Sequence, residues 1–562
     1  MDEFSFDILY NIFTRLHFVN KLECMYVCRH WANVIREGSL LHTASIIQSE
    51  KITLDGFFDL IQDEPWRRKQ VKKLVLGHTR WPYVHSHFRP DLLVNLKFLY
   101  LSKNMGRCKQ YIQYLSPESV RPFMNHIQHV VDDAGADFVY ELLIGGTCPR
   151  LTSLALRLND YSGEDSYTND QDEDSGTTSK HNQYLNKGIF SFLFNAPALR
   201  YLEFNHFDFQ ISDFEFIHAS LMYLESLTIR GRVIHGNKLP DNVIPTGSLK
   251  RLSITDVSIS PLSVANLVRY TIKKYTRLTA FTFDSNTGSL VKEADANAFM
   301  KKFAKQLTSL QLPLETDFVP WVCGFDCQLN TLAITQGCCI PSPLETLSRS
   351  PLRHHIQELK LSYASVFNTG PLKELTHLKN LHLAFSGTAD PPDIDTISLL
   401  RNCPDKLTSL TLDHVTLKDK LTDMDHIFPI QELKINAGSL PQKFDLFLSK
   451  CCPKLRSLTL NGCLRAGDHI NIDTLSLSYL KINLHDPKTK TRWFIVTPKS
   501  ELFYYFDEYD DTYRVDGDDE DINALLYKAC LPVKPVDLPK VETTTLSCRS
   551  VGTLIINDRI TC

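Results

Sequence analysis

The sequence predicts an α/β solenoid preceded by a small all-α unit: a parallel concave sheet built from successive repeats, with helices or irregular segments returning on the convex side. Three observations carry that expectation. An apolar-x-x-apolar-x-apolar hexad recurs roughly sixteen times between Val71 and Ile482, at spacings mostly of about 22 to 31 residues. The first 46 residues carry helical periodicity instead. The composition, 43% apolar and 22% charged over 562 residues, is that of a soluble globular protein with ample material for a stacked core.

Taken in order, residues 1–46 come first. Ile8, Leu9, Ile12, Phe13 and Leu16 recur at i, i+1, i+4, i+5 and i+8, one broad face of a helix. Ser5 is placed to cap it, and Asp7 then lies in the first turn, where a negative charge suits the helix dipole. A break near His17–Asn20 separates a second run, Leu22, Met25 and Tyr26, leading to Val27, Trp31, Val34 and Ile35 at helical spacing. Two or three short amphipathic helices of this size cannot bury all their apolar surface internally, and the remainder marks a partner site.

Asp7-Ile8-Leu9-Tyr10-Asn11-Ile12-Phe13, followed at the right distance by Val27-Cys28-Arg29-His30-Trp31, resembles the F-box. That motif docks a substrate receptor onto the Skp-type adaptor of a cullin–RING ubiquitin ligase. Its pattern is roughly Leu-Pro-x-Glu-Ile-Leu-x-x-Ile-Phe, a hydrophobic spacer, then Val-Cys-x-x-Trp. Here Phe4 replaces the Leu, Ser5 the Pro and Asp7 the Glu, while Lys21 and Leu41 stand where Leu and Trp are common. The resemblance implies that Phe4, Ile8, Leu9, Ile12, Phe13, Leu16, Leu22, Val27, Cys28 and Trp31 contact the adaptor.

Residues 47–70 read as a linker helix or irregular first repeat, with Trp66-Arg67-Arg68 as a solvated helix end. The repeats then run over 71–482. Val71-Lys-Lys-Leu74-Val-Leu76, Leu96-Lys-Phe-Leu99-Tyr-Leu101 and Leu151-Thr-Ser-Leu154-Ala-Leu156 show the form. Further copies open at Leu199, Leu224, Leu249, Leu278, Leu307, Leu329, Ile356, Leu378, Leu407, Ile430, Leu455 and Leu477, and Ile127-Gln-His-Val130 is a degraded one. In each, two apolar residues point inward from a short strand and their neighbours point out. Ser260–Tyr275, Asp395–Asn402 and Phe444–Cys451 read as return helices. Cys148-Pro149, Ala196-Pro197, Cys403-Pro404 and Cys452-Pro453 precede strands, where Pro enforces the helix stop and the small residue packs. The hexad is similar to that of the leucine-rich repeat, and Asn461-Gly462-Cys463 to its cysteine-containing class, the usual companion of an F-box. No such repeat buries its core alone, so stability comes from stacking. Sixteen strands about 4.8 Å apart make an arc of roughly 75 Å, a surface suited to a protein ligand.

Two stretches break the phase. Residues 160–183 are acidic and lack apolar periodicity, which predicts a mobile insertion. Residues 483–562 read as irregular terminal repeats or a cap: Trp493–Val496 and Leu502–Phe506 as strands, Val551–Ile556 as one more copy, and 507–521 as an acidic loop without the ligand order of a calcium site. Among outward strand positions, Arg251, Glu358, Lys360, His382, Glu432 and Lys434 are the candidate target-binding residues.

The rest excludes function classes. A net charge of −4 argues against a general nucleic-acid binder, and no apolar run reaches the length of a membrane span. An acidic N-terminus is not a secretory signal and the C-terminus does not place a Cys for prenylation. With 15 Cys and no export signal, reduced thiols in the cytoplasm or nucleus are expected. There is no phosphate loop, His-Glu-x-x-His or nucleophile elbow. Cys323, Cys327, Cys338 and Cys339 pair poorly for tetrahedral zinc and read as core thiols, so no metal or other cofactor is expected.

The resemblance therefore implies a non-catalytic receptor subunit of an SCF-type ubiquitin ligase. Its F-box docks the Skp-type adaptor and, through it, the cullin–RING ligase, while its concave face holds a protein target. The alternative is a repeat scaffold or regulatory binding protein whose helical unit only closes the solenoid. Under that alternative Ile8 and Phe13 are buried within the chain.

Overall fold

The computed structural model describes residues 5–14, 18–46, 54–62, 65–76, 89–101, 117–133, 137–158, 188–236, 238–314, 318–334, 343–363, 368–385, 392–418, 426–436, 440–441, 444–464, 468–484, 491–497, 500–506, 543–556 and 559–560. The chain forms two compact units, Met1–Phe303 and Ala304–Cys562. The acidic stretches 160–183 and 507–521, with Phe4, Leu16, Cys338 and Cys339, lie outside the described residues.

The first unit opens with three helices: α1 (Phe6–Thr14), α2 (Phe18–Met25) and α3 (Arg29–Glu37). A parallel ladder follows. Its strands are Thr43–Ile46, Lys73–Leu76, Phe98–Leu101, His129–Asp132, Ser153–Arg157, Tyr201–Asn205, Ser226–His235, Arg251–Ile259 and Ala280–Ser285, each paired with the next. Within the second unit the same arrangement runs through Ser309–Gln311, Thr331–Ile334, Glu358–Tyr363, Asn380–Phe385, Ser409–Asp413, Glu432–Asn436, Ser457–Leu464 and His469–Leu484 to Thr543–Ile556.

Every hexad becomes a strand, and the pairing keeps them in phase. Leu74 stands beside Leu99, then Val130, Leu154, Leu202, Leu227, Leu252 and Phe281. All of these, and the opening residues such as Val71, Leu96 and Leu151, are buried. Each inward aliphatic contributes about 1.5–3 kcal/mol relative to exposure, so the identical register sums along the stack. Parallel strands need a crossover, and the return segments supply it on the apolar side. The expected helices are present as Pro261–Lys274, Thr396–Arg401 and Phe444–Cys451. Ser260 caps the first by accepting from the Ser263 amide at 3.2 Å, and Asp395 caps the second through the Ile397 and Ser398 amides. Cys148, Ala196, Cys403 and Cys452 are buried before their strands.

The sheet begins earlier than the hexad count implied. Leu41-His-Thr-Ala44-Ser-Ile46 is a further copy with Ala in the middle position, and Ala44 pairs with Leu74. Residues assigned to the linker form helices Leu54–Gln62 and Pro65–Gln70, which bury Phe57, Phe58 and Ile61 as the first return segment. The solvated reading of Arg67 is corrected: it is buried, and its guanidinium donates to the Leu60 carbonyl at 2.8 Å and the Tyr26 hydroxyl at 2.5 Å. The contact ties the three helices to the first repeat.

At the other end, Thr491–Thr497 and Ser500–Phe506 form an antiparallel pair. Thr543–Ile556 lies parallel to His469–Leu484 with Leu554 beside Leu480, which makes it one more copy.

One buried polar cluster stands out in the first unit. The return segment before Arg251 has no helix among its described residues, and helix Asp213–Ser220 reaches helix Pro261–Lys274 across it. Lys274, 3% exposed, pairs with Glu215 at 2.6 Å. The Tyr270 hydroxyl donates to the other Glu215 oxygen at 2.7 Å, and His218 Nε2 lies 3.0 Å from the Tyr275 hydroxyl. Burial, and then the Lys274 charge, lowers the His218 pKa to about 3.

Candidate functional site

The broad apolar face of α1 divides in two. Leu9 and Phe13, one turn apart, are each 1% exposed and face the chain. Phe13 meets Trp31 of α3 edge to face, ring centroids 5.2 Å apart, an arrangement that adds about 0.5–1.5 kcal/mol to the burial itself. Ala32, Val34 and Ile35 complete the inner face of α3, and Leu22 of α2 is buried too. Ile8 and Ile12, also one turn apart, project from the other side at 49% and 47% exposure.

Leu9, Phe13 and Leu22 are therefore corrected: they hold the helices together and are not available to a partner. The cause is geometric. A residue one position along a helix is turned by about 100°, so each i, i+1 pair straddles the boundary between two faces. Of the other residues expected to touch an adaptor, Val27 is exposed. Cys28 is half-buried at the extended residue preceding α3. Trp31 is half-buried, and its Nε1 is shielded without a hydrogen-bond partner among the described residues. Phe6 and Tyr26 add exposed ring surface beyond the residues that the F-box pattern names. Lys21, in a position where Leu is common, is buried, and that burial lowers its pKa.

The strand register sorts the outward residues. Glu358, Asn380, Ser409, Glu432 and Ser457 form one row across the second unit, and Lys360, His382, Thr411, Lys434 and Thr459 the next. Five of the six candidate target-binding residues thus share one face. Arg251 is outward and exposed in the first unit.

A third row was missed. Asp413, Asn436 and Asn461 are adjacent, each following the last apolar residue of its hexad. His382 Nε2 lies 2.5 Å from Asp413 Oδ2, the Asn436 amide donates to Asp413, and the Asn461 amide donates to Asn436 Oδ1 at 2.7 Å. Burial alone raises the Asp413 pKa, but the hydrogen bonds from His382 and Asn436, with the His382 and Lys434 charges, hold it below its ordinary value. The described residues contain no group of three or more His, Cys, Asp or Glu side chains placed to hold a metal ion. No helix among them is long and apolar enough to cross a membrane.

No curated protein sequence matches the chain. Solved structures do, among them one titled "Crystal structure of TLR13-ssRNA13 complex", 15% identical, covering 80% of this chain and 69% of that one with a TM-score of 0.29. Residues 1–43 match the F-box domain family, and Ile8, Ile12 and Val27 accordingly stand on an F-box domain.

Proposed function

We propose that this chain is the substrate-recognition subunit of an SCF-type cullin–RING ubiquitin ligase. The observation that carries the reading is the exposed Ile8/Ile12 face on a folded F-box domain. Two branched aliphatics one turn apart and half in water are a cost to the isolated chain, and an apolar partner surface removes it. The Skp-type adaptor is that partner. The outward face of the sheet then holds a protein target, in the cytoplasm or nucleus. Catalysis belongs to other subunits, and this chain contributes proximity and orientation.

The reading is tested by reconstitution. The purified chain is mixed with a Skp-type adaptor, a cullin–RING core, ubiquitin and its activating and conjugating enzymes. The expected result is one co-eluting complex and ubiquitin chains on the receptor itself. A folded chain that elutes apart from the adaptor overturns the proposal.

A further inference from the structure

Four strands near the F-box differ from the rest of the sheet on their outward face. The middle outward position is filled by Val75, Tyr100, Val131 and Ala155, adjacent in that order in the ladder. They stand on the opposite side from Leu74, Leu99, Val130 and Leu154, and all four are half-buried. The equivalent row of the second unit reads Lys360, His382, Thr411, Lys434. The Tyr100 hydroxyl donates to Asp133 at 3.1 Å, on the side of the row away from the lysines. A solvated sheet face favours polar side chains at these positions, so a largely apolar row with no charged side chain in it is a departure that calls for a covering surface.

Beside it, on the first two strands, lies a basic patch. The residues preceding the middle position on these strands are Lys72 and Lys73, Lys97 and Phe98, Gln128 and His129, and Thr152 and Ser153: three lysines and no acid. Lys73 and Lys97 are exposed. The Lys73 ammonium lies 4.8 Å from the centre of the Phe98 ring, which in turn is 6.2 Å from the His129 ring. The face thus has an apolar stripe across four strands and a cationic patch, Lys72, Lys73 and Lys97, on the first two, about two residues away along the strand, or roughly 7 Å.

We infer that these four strands take an extended peptide segment of the target in which apolar and acidic residues alternate. The segment lies along the apolar stripe beside the cationic patch and crosses the strands. Its apolar side chains meet Val75, Tyr100, Val131 and Ala155, and its carboxylates meet Lys72, Lys73 and Lys97. Four strands span about 14 Å, and same-side residues of an extended chain recur every ~6.8 Å, so the footprint is five or six residues. The inference rests on the reading of the outward face as target-binding, and it moves the anchor away from Lys360 and Lys434 to the strands beside the F-box.

The test uses the full chain bound to its adaptor and three fluorescein-labelled ten-residue probes: alternating Glu-Leu, alternating Lys-Leu and alternating Glu-Ser. Fluorescence anisotropy is expected to show saturable binding of the Glu-Leu probe, with the other two at least tenfold weaker. Lys72→Glu/Lys73→Glu/Lys97→Glu and, separately, Val131→Asp should each weaken the Glu-Leu probe at least tenfold. Lys360→Glu/Lys434→Glu should leave it unchanged. Circular dichroism and adaptor co-elution of each variant report that it is folded. Equal affinity for the Lys-Leu or Glu-Ser probe overturns the inference. So does loss through Lys360 and Lys434 instead, or no saturable binding by any probe. Each of these outcomes with adaptor binding intact removes only this inference, whereas loss of adaptor binding by the wild type removes the function proposed above.

Discussion

The His218 cluster makes the stability of the first unit depend on pH in a way that one substitution isolates. His218 is 7% exposed, and its Nδ1 is buried without a partner among the described residues. Burial and Lys274 lower its pKa from 6.5 to about 3. The folded chain therefore binds fewer protons than the unfolded chain between those two values. Stability contributed by the neutral ring is complete above the unfolded pKa and declines as pH falls below it. At pH 5, about 1.5 units below the unfolded value and at about 1.4 kcal/mol per unit, the loss is about 2 kcal/mol. The perturbation is His218→Gln, which keeps a polar partner for the Tyr275 hydroxyl but does not titrate. Hydrogen exchange by mass spectrometry on helices Asp213–Ser220 and Pro261–Lys274, corrected for intrinsic rates, is compared at pH 7 and pH 5. Wild-type protection should fall about 30-fold more than that of the variant, the same 2 kcal/mol expressed as a rate ratio. Glu215 and Lys274 are common to both proteins and cancel. Equal pH dependence in the two would refute the account of a neutral, desolvated imidazole.

Three further outcomes are expected. Phe13→Ala should destabilise the F-box by about 3–5 kcal/mol through lost burial and a cavity beside Trp31, whereas Ile12→Ala should change stability by less than about 0.5 kcal/mol. Exchange of residues 5–14 separates them, and equal effects would contradict the two-faced helix. Gly38→Ala should cost about 1–3 kcal/mol, read as a lower F-box melting temperature, because its Cβ would lie 2.7 Å from Tyr10 Cδ2 and 2.8 Å from the Val34 carbonyl. Burial raises the Cys148 and Cys403 thiols to about 12 and pushes Cys452 up as well. Iodoacetamide on the native protein at pH 8 should spare all three, and fast labelling of any of them by mass spectrometry would contradict their burial.

What was legible in the sequence follows from how local each signal is. The hexads were plain because nearly every copy repeats large apolar residues at the same inward positions, and the register merely aligns them. The strand Thr43–Ile46 was missed because Ala44 replaces the middle aliphatic and the copy directly follows a helical run. Periodicity showed that α1 is apolar, but Ile8 and Leu9, like Ile12 and Phe13, sit side by side in the pattern. Which of each pair is buried depends on where Trp31 packs, eighteen or more residues away. Arg67 was read by its charge, while its burial depends on a hydroxyl 41 residues distant. The Asp413–Asn436–Asn461 row was present in the spacing, each residue one past a hexad, yet its hydrogen bonds exist only because the strands are in register. Local composition carries no such information.

The central claim is that the exposed half of α1 is a docking face. It is tested most directly by calorimetric titration of the full chain with a purified Skp-type adaptor, comparing the wild type with Ile8→Asp/Ile12→Asp. Both positions are about half exposed, so the free protein should keep its circular-dichroism signal. Placing two carboxylates in an apolar contact costs several kcal/mol, which predicts binding more than ~100-fold weaker. Equal affinity of the two proteins, or no heat of binding from a folded wild type, would contradict the account.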